Sequence, residues 1–433
     1  MSIPDVLAVG GARPLRGRLR LPGDKSISHR ALIFAALASG TSRITNLATG
    51  ADVRATARVL AQLGVPLGSE GDAVVVQGTG VDGWREPDGV LDCENSGTTM
   101  RVLSGVLAGR SFLTVLTGDG SLRSRPMGRV VEPLRMMGAR VDGRDDATHA
   151  PLVIRGGPLQ GLRYELPVAS AQVKTAVLLA GLQADGETET VSPAPSRDHT
   201  ERMLGALGAP IVVDGLSIRV TRGAPHAFDI DVPGDPSSAA FFAVAAAITA
   251  GSDVVIESVS CNPTRVGFVD VLRRMGADIE LDPTGEVWGE PFGDLRVRSS
   301  ELRATTIAGA EIPNVIDEIP ALAVAAAFAD GVTEIRDAAE LVVKESNRIG
   351  TLREELAKLG AGVEARPDGL VVRGGTSKGG VFAAHGDHRI AMAMAVAANA
   401  VAADSTVEGW SAVSSSYPEF GRDLALLTGV SEA

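Results

Sequence analysis

The chain repeats itself six times, and a sixfold internal repeat constrains a fold more than any single motif. Each copy opens on a polar or small-residue cluster that leads into an alanine-rich apolar stretch. The openings are Gly23-Asp24-Lys25-Ser26, Asn95-Ser96-Gly97-Thr98-Thr99, Ala169-Ser170-Ala171-Gln172, Gly234-Asp235-Pro236-Ser237-Ser238, Ile316-Asp317-Glu318-Ile319-Pro320 and Gly386-Asp387-His388-Arg389. About 40 residues on from its opening, each copy reaches a helix that stops at a glycine. These closings are Leu63-Gly64, Met137-Gly138, Leu207-Gly208, Met275-Gly276, Leu359-Gly360 and Thr428-Gly429.

With 433 residues the chain exceeds what one hydrophobic core serves, so three repeats in each of two lobes is the natural division. Within a repeat the pattern predicts a helix, a short strand, a second helix and a strand pair. In the first copy these are Ser26–Ala38, Thr41–Leu47, Asp52–Leu63 with Asp52 placed as a cap, then Val74–Gln77 and Val90–Cys93. The fourth copy gives Ser237–Thr249, Ser252–Val259, Pro263–Met275, Ile279–Leu281 and Leu295–Val297 in the same order. The first helix of each copy is apolar nearly all round and reads as buried, while the helix ending at glycine is amphipathic and reads as an outer one. The expected class is α/β (α+β), two similar lobes with buried inner helices and outer sheets. Leu21-Pro22-Gly23-Asp24 resembles Val232-Pro233-Gly234-Asp235, which sets the lobes at 23–233 and at 1–22 plus 234–433. Strand-like Leu15–Leu21 is then free to pair in the second lobe.

Composition excludes several functions. A net charge of −12 and 3% aromatic residues argue against a nucleic-acid partner, which calls for a basic face and rings to stack on. Apolar windows such as Ala239–Ala250 are too short to span a bilayer, so no membrane role is expected. Met1–Gly11 lacks the basic flank and apolar core of a targeting signal, and the cytoplasm is the expected compartment. Two cysteines, Cys93 and Cys261, form neither a disulfide framework nor a metal pattern.

Helix starts usually attract carboxylates, because the first N–H groups carry partial positive charge. Here they collect cations and polar groups instead: Lys25, Ser26 and Arg30 at one, Thr98, Thr99 and Arg101 at another, Gln172 and Lys174 at a third, His388 and Arg389 at a fourth. That pattern suits a multiply charged anion, which both the N–H groups and the basic side chains would hold. Ser26 and Arg30, four residues apart, share a helix face and can converge on one oxyanion. A nucleotide-binding P-loop is ruled out at Lys25-Ser26, since the required glycines are Asp24 and Leu19. In Lys344-Glu345-Ser346-Asn347-Arg348 a helix would put Lys344 and Arg348 on one face with Glu345 beside them, an arrangement also common on exposed helices. Asp317-Glu318 opens the same repeat's inner helix, where a carboxylate stays ionised and can act as a base. The loop Gly118–Met127 sets Arg125 on a turn stiffened by Pro126.

Taken together, Pro22–Arg30, Asn95–Arg101, Asp119–Met127, Ser170–Lys174, Ser196–Glu201, Lys344–Arg348 and Asp387–Arg389 resemble the motifs of the 5-enolpyruvylshikimate-3-phosphate synthase family, over essentially the whole chain. The resemblance implies two domains of three βαβαββ units. It also implies transfer of the enolpyruvyl group of phosphoenolpyruvate to the 5-hydroxyl of shikimate 3-phosphate, with phosphate released through a tetrahedral adduct. By the same resemblance Lys25, Gly97, Arg125, Gln172, Arg348 and Arg389 face phosphoenolpyruvate. Lys25, Ser26, Arg30, Ser170, Ala171, Gln172, Arg197, Asp317 and Lys344 face shikimate 3-phosphate. Asp317 is then the base for the hydroxyl, Glu345 the acid at C3, and Lys25 an aid to proton transfer; no metal or organic cofactor is implied, and a monomer is expected. Glu345 would have to hold a proton among cations that favour its ionised form.

Some positions depart from the family. Ser414-Ser415-Ser416 stand before Tyr417-Pro418, where a basic residue is frequent; Ala171 stands where many members have serine, and Glu340 where some have asparagine. Gly97 occupies a position where some herbicide-tolerant members carry alanine, so glyphosate is expected to fit and inhibit. Two other readings compete. UDP-N-acetylglucosamine enolpyruvyl transferases share the architecture, but they resemble Ala-Lys-Asn at the first motif and usually carry a cysteine on the loop equivalent to Gly118–Met127, which has none here. A silent binder of phosphorylated metabolites would have little use for Asp317 and Glu345, since carboxylates weaken an anion site.

Overall fold

The structure is a computed structural model that describes residues 3–375 and 378–430. The extreme ends of the expected second lobe, 1–2 and 431–433, lie outside the described residues. The chain divides into two compact units: one is Gly23–Val232 with Glu286–Glu290, the other Met1–Pro22, Pro233–Gly285 and Pro291–Ala433. This differs from the sequence division at Pro233 and at 286–290. The second difference has a local cause, because Trp288 stacks edge-on against Phe228 and its indole N–H donates to the Asp229 carbonyl at 2.7 Å. Glu290, in the same turn, meets His199 at 2.8 Å.

Six inner helices, Lys25–Leu37, Gly97–Ala108, Ala171–Gly181, Pro236–Ile248, Ile319–Phe328 and His388–Ala400, begin at or beside the six openings. They are buried along almost their whole length because alanine lets neighbouring helices approach closely and leaves no polar group to satisfy. Four begin under a side-chain cap in which Asp24, Ser96, Ser170 or Asp387 accepts a backbone N–H, and Asp235 does the same for a fifth. Each unit has its own apolar core built on its three inner helices. The glycines at all six closings have positive φ, between 67° and 108°, which a residue with a side chain rarely adopts.

Five four-stranded sheets share one plan: a parallel pair, then two antiparallel steps. In the first repeat Ser39–Thr45 pairs parallel with Asp229–Asp231 and antiparallel with Ala73–Thr79, which pairs with Leu67–Glu70. Arg16–Arg20 supplies the parallel strand for Asp253–Ser260 in the fourth repeat. The sixth sheet has three strands, with Val6–Val9 antiparallel to Ser405–Glu408 and Val381–Ala383 parallel to it. Strands remote in sequence therefore complete the first, fourth and sixth sheets. The pattern gives the expected two-lobed α/β architecture of inner helices and sheets, in the βαβαββ repeats that the resemblance implies.

Local details differ from the sequence reading. The outer helix of repeat one is Ala51–Gln62 with Gly50 at its cap position, and Asp52 lies in the first turn without capping it. The outer helix of repeat four is confined to Gly267–Arg274, since Asn262 fixes Thr264 in a tight turn before it. Lys344 and Arg348 do not share a helix face. A short 3₁₀ turn, Ala339–Val343, precedes an extended Lys344, and Asn347 caps a new helix that starts at Arg348.

Candidate active site

In the unit built on 23–232, three inner-helix starts carry linked polar side chains. Lys25 opens the first helix, and its Nζ lies 3.1 Å from Asp52 Oδ2 on the outer helix. Asp52 thus meets a cation where a helix cap was expected. Ser26 follows, with Arg197 Nη1 at 3.5 Å from its hydroxyl. Arg30 is 3% exposed and donates to Thr200 Oγ1 at 2.7 Å, Thr175 Oγ1 at 2.9 Å and the Ser26 carbonyl at 3.0 Å. Its guanidinium therefore braces Ser26 through the backbone, whereas the sequence placed the two functional groups side by side on a ligand. Burial lowers the Arg30 pKa to about 10, against the pull of Glu201 and Asp24.

The second helix start presents Gly97. A Cβ built there would come within 2.7 Å of Arg101 Nη1 and 3.6 Å of Arg125 Nη1. Arg125 donates to Asn95 Oδ1 at 2.7 Å and Ser121 Oγ at 3.0 Å, so the stiffened loop does hold it in place. Asn95 is oriented in turn by Asp119 at 2.7 Å. At the third start Ser170 caps the helix, Ala171 is its first residue, and Gln172 bridges two neighbours. Gln172 accepts from Arg101 Nη1 at 2.8 Å and donates to Thr98 Oγ1 at 3.0 Å. Lys174 turns away from this group. It is buried in an ion pair with Glu201 and does not add to an anion-facing surface, because its long side chain runs inward along the helix.

The other unit gathers its charges around Asp317. The carboxylate lies 3.6 Å from Lys344 Nζ, 3.5 Å from Arg348 Nη1 and 4.0 Å from Arg389 Nη2, while Arg389 Nη1 holds the Asp317 carbonyl at 2.7 Å. Arg348 also pairs with Glu345 Oε2 at 2.6 Å and Asp387 Oδ2 at 2.8 Å. Its burial would lower its pKa, but Asp387 and then Glu345 more than offset this and raise it. Asp387 shows the counterpart: burial opposes its charge, and Arg348 prevails to lower its pKa. Asp317, Lys344 and Glu345 stay partly open to solvent, whereas Arg348 and Arg389 are buried.

Sequence reasoning missed a second cluster in this unit. Arg265, 2% exposed, donates to Asp235 Oδ1 at 3.1 Å and Ser237 Oγ at 2.9 Å, and Ser237 meets the buried Glu318 carboxylate. It ties the start of the fourth inner helix to the residue beside Asp317. The apolar helix beginning at Pro236 gave the only hint, an acidic opening with no cation next to it. Among the described residues Glu354, Glu355 and His385 are the one group spaced for a metal, and Lys358 already occupies Glu355 at 2.8 Å. Both cysteines are buried, with thiol pKa values raised by burial, that of Cys261 to about 11.

Two lobes of three such units form a fold that recurs in solved structures. Accordingly the chain superimposes on NikO, an enolpyruvyl transferase from Streptomyces tendae, with a TM-score of 0.80 over 99% of this chain and 98% of the other at 20% identity, a likeness of fold. EPSP synthase from Acinetobacter baumannii matches with a TM-score of 0.87 and 41% identity over 97% of each chain. Among curated proteins, the 3-phosphoshikimate 1-carboxyvinyltransferases of Synechococcus sp. and Thermus thermophilus are each 51% identical, covering 100% and 99% of this chain and 99% and 100% of their own. The family model of EPSP synthase (3-phosphoshikimate 1-carboxyvinyltransferase) matches residues 9–424. The chain belongs to the EPSP synthase family.

Proposed function

We propose that the chain catalyses the reaction for which its family is named, transfer of the enolpyruvyl group of phosphoenolpyruvate to the 5-hydroxyl of shikimate 3-phosphate with release of phosphate. What carries the assignment of roles is the Asp317 cluster, a carboxylate within 4.0 Å of three cations from two segments, Lys344 and Arg348 on one and Arg389 on the other. Each substrate brings a phosphate and a carboxylate, and a water-poor site must neutralise all of these groups. Lys25, Gly97, Arg125, Gln172, Arg348 and Arg389 serve phosphoenolpyruvate in this reading. Lys25, Ser26, Arg30, Ser170, Ala171, Gln172, Arg197, Asp317 and Lys344 serve shikimate 3-phosphate, with Arg30 acting through its brace on Ser26 and Ala171 through its backbone.

In the addition step Asp317 takes the proton of the 5-hydroxyl as its oxygen bonds to C2, and Glu345 gives a proton to C3, leaving a tetrahedral adduct. In the elimination step C3 returns a proton to Glu345 while the C2–phosphate oxygen bond breaks; phosphate leaves and takes up a proton from solvent, and Asp317 releases to solvent the proton it took from the hydroxyl. Lys25 offsets charge on the phosphate. The reading further takes the protein as a cytoplasmic monomer acting on small molecules and not on nucleic acid, in keeping with its net charge of −12. No helix among the described residues is long and apolar enough to cross a membrane. Phosphate release that requires both phosphoenolpyruvate and shikimate 3-phosphate tests the assignment. Release with UDP-N-acetylglucosamine in place of shikimate 3-phosphate would overturn it in favour of the wall-synthesis reaction, and binding without release would leave a silent binder.

A further inference from the structure

A buried line of side chains joins the first two inner helices through the outer helix Ala51–Gln62, and the reaction described above makes no use of it. His29 Nδ1 lies 2.7 Å from Thr56 Oγ1, Thr56 Oγ1 lies 2.6 Å from Thr99 Oγ1, and Thr99 Oγ1 lies 2.7 Å from Ser96 Oγ. All four side chains are fully shielded from solvent.

The line has a direction. A hydroxyl has a single hydrogen to donate. That of Thr99 is directed to Ser96 Oγ, or to the Asp52 carbonyl at 3.4 Å, while the Thr99 N–H also donates to Ser96 Oγ at 3.1 Å. Thr56 must then donate to Thr99 and accept from His29, which places the imidazole proton on Nδ1. Nε2 is buried with no hydrogen-bond partner, so a proton there would be stranded at a desolvation cost. The ring is thus held neutral and in one tautomer. Consistent with this, burial and then Lys25 and Arg30 push its pKa well below the usual range, with Asp24 opposing.

Neighbours of the line hold two groups that the division proposed above assigns to phosphoenolpyruvate, Lys25 and Gly97. Asp52, one helical turn before Thr56, holds Lys25 at 3.1 Å and offers its carbonyl to Thr99. Ser96 caps the helix whose first residue is Gly97 and whose Arg101 orients Gln172. Lys25 and Gln172 also serve shikimate 3-phosphate in that division, but Gly97 serves phosphoenolpyruvate alone, and the other groups for shikimate 3-phosphate are braced elsewhere, by Arg30 on Thr175 and Thr200. We infer that Thr56, fixed between His29 and Thr99, is a positioning residue that keeps Lys25 and the Gly97 helix start in register and so sets affinity for phosphoenolpyruvate. This rests on the division of substrates proposed above.

Thr56→Val keeps the shape and removes the hydroxyl, and Thr56→Ser keeps the hydroxyl. With each substrate varied in turn, Thr56→Val is expected to raise KM for phosphoenolpyruvate roughly three- to tenfold, the equivalent of one lost hydrogen bond, and Thr56→Ser to stay near wild type. KM for shikimate 3-phosphate and kcat should change far less. An unchanged KM for phosphoenolpyruvate in Thr56→Val, an equal defect in both variants, or an equal rise in both KM values overturns the role. Should Thr56→Val not fold, His29→Asn, which restores an N–H beside Thr56, is compared with His29→Leu. A selective rise in the leucine variant alone supports the role, and equal behaviour of the two overturns it. Failure of the wild type to release phosphate from both substrates would instead remove the functional assignment itself, so the two failures are distinct.

Discussion

Arg348 grips Asp387 with two of its nitrogens, Nε to Oδ2 at 2.8 Å and Nη2 to Oδ1 at 3.3 Å, and both side chains are buried. A lysine cannot reproduce that fork, so Arg348→Lys leaves the Asp387 charge partly unpaired in a dry place. It is expected to lower stability by about 2–4 kcal/mol in chemical denaturation and kcat/KM by about a hundredfold, because the same guanidinium holds Glu345 and Asp317. The sign of the pH dependence follows from Asp387, whose folded pKa is depressed. Its contribution is complete above the ordinary carboxyl range near 3.9 and is lost as pH falls through the lower folded value. A variant whose acid unfolding midpoint matches the wild type would contradict this pairing.

Gly97 has no space for a methyl group on its Arg101 side. Gly97→Ala brings a Cβ to 2.7 Å of Arg101 Nη1, the atom that donates to Gln172 Oε1. The arginine tip can give way, so the helix should survive while the link to Gln172 is disturbed. A roughly tenfold rise in KM for phosphoenolpyruvate is expected, as overpacking of about 1–2 kcal/mol would produce. Glyphosate at millimolar scale should slow initial rates of the wild type when phosphoenolpyruvate is limiting, and Gly97→Ala should need more of it. Unchanged wild-type rates would remove the glyphosate expectation.

The repeat was legible because its signals are local. A capping residue before five of the six alanine-rich helices and a glycine with positive φ after each outer helix act on their own segment, so the openings at Asp24 and Ser96 and the closing at Gly64 could be read without knowing the fold. The candidate site was legible where chemistry and helix starts coincide, as at Lys25, Gln172, Asp317 and Arg389, and at Arg125 on its proline-stiffened loop. What sequence reading lost depends on pairing across repeats. Asp52 looks like a cap until Lys25 is found beside it, and Lys174 looks anion-facing until Glu201 is found beneath it. Arg265, Ser237 and Glu318 come from three segments that no spacing rule connects. Asp229–Asp231 and Ser39–Thr45 pair in one sheet although more than two repeats lie between them.

His29 predicts a different pH effect. Its folded pKa is lowered, so above about pH 6.5 the ring is neutral in both states and costs nothing. As pH falls below that value, the unfolded chain takes up a proton that the folded chain refuses, and stability declines until the folded pKa is reached. The slope from this one group is at most about 1.4 kcal/mol per pH unit. Denaturation midpoints between pH 6.5 and 5 should therefore fall less steeply in His29→Asn than in the wild type. Parallel curves would show that His29 is not the group responsible.

Burial raises the thiol pKa of Cys93 and Cys261, so neither is a nucleophile at neutral pH. The folded protein should react with a thiol-specific disulfide reagent only at the rate of its unfolding and should keep its activity meanwhile. Cys93→Ala and Cys261→Ala should retain kcat within about twofold, since neither thiol touches the proposed site and only a small core side chain changes. Rapid modification of either cysteine with loss of turnover would argue for thiol chemistry of the kind found in the competing family.

Asp317 and Glu345 separate by the steps they serve. Asp317→Asn keeps the shape and the Arg389 bond to the backbone carbonyl but removes the group that takes the hydroxyl proton. Loss of a general base costs about 10²- to 10⁴-fold, so kcat should fall by that amount while KM for phosphoenolpyruvate changes much less. Glu345→Gln should slow both adduct formation and breakdown, because the same carboxyl group gives a proton to C3 and takes one back. Rapid-quench measurement of the first turnover distinguishes them, with Asp317→Asn delaying the adduct and Glu345→Gln also delaying phosphate release from it. Equal delays of addition and elimination in Asp317→Asn would reassign the base, and an adduct that breaks down at the wild-type rate in Glu345→Gln would reassign the acid.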